Sequence, residues 1–126
     1  MFITSKAFSS YSADDLVKAK SFYVDILGLD VEEDEMGFLT IHLTGGGEVI
    51  LYPKPDHVAA KFTVLNFPVD DIDKAVDQLM SKDVTFEQYS GSIQTDERGI
   101  CREGGGPLIA WFKDSAGNIL SVLQEV

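Results

Sequence analysis

Ala13-Asp14-Asp15-Leu16-Val17-Lys18-Ala19 and, further along, Val69-Asp70-Asp71-Ile72-Asp73-Lys74-Ala75 repeat one pattern, with Asp15 matching Asp71 and Ala19 matching Ala75. In each copy an apolar, strand-like run leads into paired aspartates, and a helical period follows. The chemistry suits a helix start, because a carboxylate or hydroxyl there accepts the amide hydrogens that the first turn leaves unpaired. Ser12-Ala13-Asp14-Asp15 has the layout of such a capping start. An echo of this kind implies two copies of one module, with a ligand expected between them.

Working outward from the first copy, Leu16, Ala19, Phe22, Tyr23 and Ile26 fall on one helical face, and Gly28 is a natural left-handed stop. In the second, Ile72, Ala75, Val76 and Leu79 form the stripe of a shorter helix that ends near Lys82. Residues 7–11 precede the first helix and the apolar stretch 61–69 precedes the second, both read as strands. Three strands are expected after each helix: 29–33, 37–43 and 48–53 in the first half, and 84–88, 108–113 and 119–124 in the second. Gly45-Gly46-Gly47 and Asp114-Ser115-Ala116-Gly117-Asn118 supply the turns between the last two strands of each half. The chain is thus read as a single domain, 1–126, with module one at about 6–53, a linker at about 54–60 and module two at about 61–125. Residues 91–106, polar and glycine-rich, stand outside the pattern as either a lid or a plain surface loop.

Composition narrows the classes of partner. At 126 residues and 44% hydrophobic, the chain has enough apolar side chains for one core. A net charge of −11 argues against nucleic acid, which requires a basic face, and permits a cationic ligand. No apolar run approaches a membrane span, and the first residues lack the layout of a secretory signal, so a cytoplasmic, soluble protein is expected. The single cysteine, Cys101, has no partner for a disulfide or a Cys-x-x-Cys site.

Asp15-Leu16, Ala19, Phe22-Tyr23 and Leu27-Gly28-Leu29, together with the stretch Phe112-Lys113-Asp114-Ser115-Ala116-Gly117-Asn118-Ile119-Leu120, resemble the motifs of the vicinal oxygen chelate superfamily, the glyoxalase, bleomycin-resistance and dioxygenase group. The second stretch is similar to that family's Asp-Pro-Asp-Gly-Asn hairpin, with Ser115-Ala116 in place of Pro-Asp. The resemblance covers about residues 6–125. It implies an α+β fold of two tandem βαβββ modules forming an open, incomplete barrel whose concave cleft is the binding site, and a homodimer.

The metalloenzymes of that family hold a divalent ion on four His, Gln or Glu side chains. The resemblance places those positions at Phe8, Leu51, Val64 and Ser121, none of which suits a catalytic divalent metal. Shifting the register by one residue still offers no imidazole or carboxylate. Strand alternation adds Ser10 beside Phe8, Val49 beside Leu51 and Asn66 beside Val64. With Trp111, whose ring can stack on a planar or cationic ligand, these residues make a mainly apolar ligand-binding cleft.

Other residues carry groups with chemistry of their own. His42 and His57, with Glu48, are a candidate metal set, and His42 a candidate general base; against this, an isolated strand histidine is more often a surface residue. Arg102 beside Cys101 is a candidate activator of the thiol, and the alternative is a loop cysteine with no role. Gly45-Gly46-Gly47 lacks the Lys-Ser or Lys-Thr of a phosphate loop. Glu32-Glu33-Asp34-Glu35 reads as a solvated strand end or a guarded sheet edge.

The expectation is therefore a small-molecule-binding protein without metal, cofactor or catalytic residues, one that sequesters an antibiotic or metabolite. The alternative is an enzyme of the same superfamily, of lyase, isomerase or dioxygenase type, acting on a small carbonyl or aromatic substrate. A dimeric scaffold without a tight ligand is the third reading.

Overall fold

The computed structural model describes residues 1–125 and consists of two compact units, divided between Val58 and Ala59. Each carries one four-stranded mixed sheet and helical structure on one face of it.

The first unit runs β1 (Ser9–Ala13), α1 (Leu16–Ser21), β2 (Asp30–Glu33), β3 (Leu39–His42) and β4 (Glu48–Pro53). Asp15 is the N-cap of α1, in extended backbone, and its carboxylate accepts the Lys18 N–H at 3.1 Å. The helix continues into a π-helical stretch, Phe22–Ile26, where the Leu27 N–H reaches back to the Phe22 carbonyl. Gly28, at φ +69°, then turns the chain away in a conformation that disfavours a side chain. In the sheet β1 is parallel to β4, and β3 pairs antiparallel with both β4 and β2. Tyr11, Ala13, Leu39, Ile41, Val49 and Leu51 share one face by register. The Tyr11 hydroxyl shares a 2.7 Å hydrogen bond with that of Tyr23, so this face is the one packed on the helix. Leu51, Ile41 and Tyr23 are fully buried there.

The second unit repeats the plan with β5 (Thr63–Pro68), α2 (Ile72–Met80), β6 (Ile100–Cys101), β7 (Leu108–Lys113) and β8 (Ile119–Gln124). Asp71 caps α2 as Asp15 caps α1, accepting the Lys74 N–H at 3.1 Å. The Gln124 side chain accepts the Ile72 N–H at 2.9 Å and ties the helix start to β8. The strand order β5-β8-β7-β6 matches the order β1-β4-β3-β2 of the first unit. Ile72, Val76, Ile100, Ala110, Phe112, Leu120 and Val122 form its core.

One expected strand is interrupted. Of residues 84–88, only Phe86 makes a bridge, to Phe112, with the Glu87 N–H bonded to the Trp111 carbonyl. The chain then leaves the sheet and rejoins the same edge of β7 at Ile100, opposite Ala110. Ile100–Cys101 lies inside the stretch expected to be an insertion, and it is there because Ile100 fills the core completely. Gly99 makes the return possible, since a Cβ at this position would meet Phe86 Cβ at 2.7 Å. The excursion is therefore residues 88–99, and the sheet edge is built in two pieces.

Three turns share one geometry. Asp34, Asp96 and Asp114 each accept the N–H groups two and four residues on through one carboxylate oxygen, at 2.9 Å, with a positive-φ glycine three residues on. No helix among the described residues is long and apolar enough to cross a membrane.

Candidate functional site

The second sheet has one face on α2 and an opposite face on which Trp111 and Ser121 are paired neighbours. Thr63 and Asn66 reach the same face from β5. Trp111 Nε1–H donates to Thr63 Oγ1 at 3.2 Å, and the Ser121 hydroxyl donates to Asn66 Oδ1 at 2.5 Å. Residues three apart on a regular strand would point to opposite sides. Here a register irregularity between Thr63 and Leu65 lets both face the same way.

A hollow of about 430 Å³ opens on this face. Trp111 and Ile119 supply sheet positions, Thr63 and the residues before it, Lys61 and Phe62, supply one side, and Tyr89, Ser90, Ser92 and Ile93 supply the other. The Tyr89 and Trp111 rings meet edge to face, with centroids 5.4 Å apart and planes at 75°, a favourable aromatic geometry. With its N–H tied to Thr63, the Trp111 ring is held in one orientation. Phe62 and Ile93 stand 69% and 45% exposed beside it. Apolar side chains at the mouth of a concave site gain about 25 cal/mol per Å² of apolar area when a ligand covers them.

The excursion forms part of this wall. Thr95 closes its base through three contacts: its hydroxyl accepts the Tyr89 N–H at 2.9 Å, its N–H donates to the Tyr89 carbonyl at 3.0 Å, and its hydroxyl lies 3.3 Å from that carbonyl. The tip, 90–94, projects from this neck. Beyond it, Arg98 donates to Asp77 Oδ1 at 2.6 Å and to the Asp73 carbonyl at 3.0 Å, while Arg102 spans Asp73 at 2.7 Å and Asp96 at 3.1 Å. Burial pushes the Asp96 carboxyl up, but hydrogen bonds from the Ile100 N–H, the Arg102 guanidinium and the Arg98 N–H more than offset it and hold the group below its ordinary value. The far part of the excursion is thus clamped to α2, and its near part borders the hollow.

In the first unit, Phe8 and Ser10 are exposed, while Val49 and Leu51 are buried against the helix. Ser10 pairs with Ile50 and Ser12 with Tyr52, so Ile50 and Tyr52 are the β4 residues that share the face of Ser10. Reading Val49 and Leu51 onto that face was a one-residue error of register, and in a strand one residue is a whole face. In the second unit, Trp111, Asn66 and Ser121 do share a face, whereas Val64 falls at the irregularity where alternation fails.

The histidines are also placed. His42 sits on the face away from the helix, with Nε2 3.1 Å from Glu32 and Nδ1 3.2 Å from Glu48. The Glu32 approach has ion-pair distance without hydrogen-bond alignment. His57 shares a 2.6 Å hydrogen bond between Nδ1 and the Ser12 hydroxyl. Among the described residues, no group of three or more His, Cys, Asp or Glu side chains is arranged to hold a metal. The side chains at the expected ligand positions do not suit a divalent ion either: Phe8 and Val64 offer hydrocarbon, Leu51 faces the helix while its neighbour Ile50 on the other face is aliphatic, and the Ser121 hydroxyl is spent on Asn66. Cys101 is a free, half-buried thiol, and Arg102 beside it is engaged by Asp73 and Asp96.

The tip residues Ser90, Ser92 and Ile93, and Phe62 ahead of β5, are wall residues that sequence reading did not assign. Their signal was adjacency: Phe62 stands in the stretch 61–69 read as a strand lining the site, Ser92 and Ile93 fall in 91–106, read as either a lid or a surface loop, and Ser90 directly precedes that segment.

Paired βαβββ units of this order, with a hollow on the sheet face away from the helix, define a fold class. The profile of the Glyoxalase/Bleomycin resistance protein/Dioxygenase superfamily matches residues 9–122, and the chain belongs to that superfamily. No curated protein matches the sequence. Among solved structures it is similar to TnmS3, an antibiotic binding protein from Streptomyces sp. CB03234, at 20% identity and TM-score 0.69, covering 98% of this chain and 99% of that one. It is also similar to a lactoylglutathione lyase from Agrobacterium tumefaciens, at 19% identity and TM-score 0.70, covering 97% and 95%. A superfamily member from Sphaerobacter thermophilus DSM 20745 shares 24% identity at TM-score 0.66, covering 94% and 97%.

Proposed function

We propose that the protein is a small-molecule-binding member of its superfamily that works without a metal, holding an aromatic or amphipathic ligand against Trp111. The observation that carries this reading is the composition of the hollow. Its walls are mainly aromatic and aliphatic, with a few hydroxyl groups, one lysine and no carboxylate or imidazole. That is the make-up of a site that binds by burial and stacking, without the carboxylate or imidazole that most often serves acid-base chemistry. The likeness in fold to an antibiotic binding protein agrees with it. Cys101, His42 and His57 take no part.

An enzyme acting on a small carbonyl or aromatic substrate is the second reading, favoured by the likeness in fold to a lactoylglutathione lyase. It calls for an acid-base pair or a set of metal ligands, and the walls of the hollow offer no carboxylate or imidazole for either role.

Trp111 is the chain's one tryptophan, so its fluorescence reports on this hollow alone. Protein stripped with a chelator is screened against aromatic metabolites and antibiotics. Saturable quenching, weakened several-fold in Phe62→Ala and unchanged by added zinc, nickel or manganese, is the expected result. Binding that appears only with added metal, or conversion of the ligand to product, would overturn the proposal.

A further inference from the structure

The polar groups around the hollow are biased towards hydrogen-bond donation. Lys61 is the one charged side chain in the wall. Its ammonium group only donates, and among the described residues no carboxylate stands within ion-pair distance of it. Lys113, which pairs with Ile119 across the sheet, is by contrast occupied by Glu87 at 3.3 Å. Thr63 Oγ1 already accepts the Trp111 N–H, which leaves its hydroxyl hydrogen to donate outward. Ser90 and Ser92 add two more hydroxyl groups on the opposite side.

We infer that the ligand is an aromatic carboxylate, its ring stacked on Trp111 and its anionic group held by Lys61 and the wall hydroxyls. The inference rests on the binding reading above and narrows it to one ligand class. The chain's net charge of −11 points the other way, towards a cation. Screening favours the local charge: charges beyond about 8 Å are largely screened at physiological salt, and Lys61 is the charged residue that lines the hollow itself. Stacking alone does not choose between charge types, because Trp111 accepts neutral and cationic rings as well.

Three probes with the same ring separate these contributions: 2-naphthoate, 2-naphthamide and 2-naphthylmethylammonium, titrated by Trp111 quenching and by calorimetry. The carboxylate is expected to bind about tenfold tighter than the ammonium, as a charge-assisted contact provides. Lys61→Gln is expected to abolish that preference, lowering the affinity for the carboxylate about tenfold and that for the carboxamide by much less. Lys61 is exposed, so the variant keeps its fold, and circular dichroism verifies this. An ammonium that binds as tightly as the carboxylate, or a Lys61→Gln variant that weakens all three probes alike, would overturn the ligand class and leave the hollow as a binding site. If none of the three quenches Trp111 saturably, the binding reading falls as well.

Discussion

Asp15 and Asp71 do the same work in the two units: each sits in extended backbone at φ −136° and −139° and accepts an amide hydrogen three residues on at 3.1 Å. Replacing an N-cap aspartate by alanine costs about 1 kcal/mol. Asp15→Ala and Asp71→Ala are therefore each expected to lower the urea midpoint by a similar amount, with Asn tolerated at both positions. Unequal losses, with one variant neutral, would show that the two caps are not equivalent.

Gly99 and Gly28 separate backbone strain from crowding. Both have positive φ, but a Cβ at Gly28 meets nothing within 4 Å, whereas at Gly99 it would collide with Phe86. Gly28→Ala is expected to cost about 1 kcal/mol from the left-handed backbone alone. Gly99→Ala adds overpacking and is expected to cost about 2–4 kcal/mol. Denaturation of the two variants side by side checks the order, and a Gly99→Ala loss no larger than that of Gly28→Ala would contradict the close approach.

The clamp on the excursion has a pH signature. The Asp96 carboxyl is held below its usual 3.8 because hydrogen bonds from Ile100, Arg102 and Arg98 outweigh its burial. A lowered folded value means stability that is present above about 3.8 and lost as pH falls through the folded value. Wild-type protein is expected to lose urea resistance on acidification below that point more steeply than Asp96→Asn, which has no proton to take up there. Parallel pH profiles would show that Asp96 contributes nothing to the clamp.

The repeat, both helix starts and seven of the eight strands were legible because each rests on local chemistry: caps, glycine turns and hydrophobic period. The interrupted edge was not, since Phe86 and Ile100 belong to one edge only through their shared partner β7. Asp96-Glu97-Arg98-Gly99 carried a usable hint, because it repeats the Asp-x-x-Gly spacing of Asp114-Ser115-Ala116-Gly117 that was read as a turn. On the site, Trp111 and Ser121 share a face because β7 and β8 pair in regular register, and Asn66 joins them because β5 regains register beside Ser121 after the irregularity at Val64. Val49 and Leu51 were misplaced because Asp15 fixes where the helix starts and leaves the parity of β4 unfixed.

Thr95 ties the neck of the excursion together beside the hollow. Its hydroxyl accepts the Tyr89 N–H at 2.9 Å, and its own N–H bonds to the Tyr89 carbonyl. Thr95→Val keeps the shape and the second bond but removes the acceptor, at a cost of about 1 kcal/mol to the neck. Amide exchange across 89–95 is expected to rise while the rest of the chain is unaffected. Because Tyr89 packs edge to face on Trp111, the same variant is expected to weaken aromatic probe binding several-fold, and Thr95→Ser, which restores the hydroxyl, is expected to recover it. Faster exchange with unchanged affinity would separate the tip from the binding site and leave Trp111, Thr63 and Phe62 to hold the ligand alone.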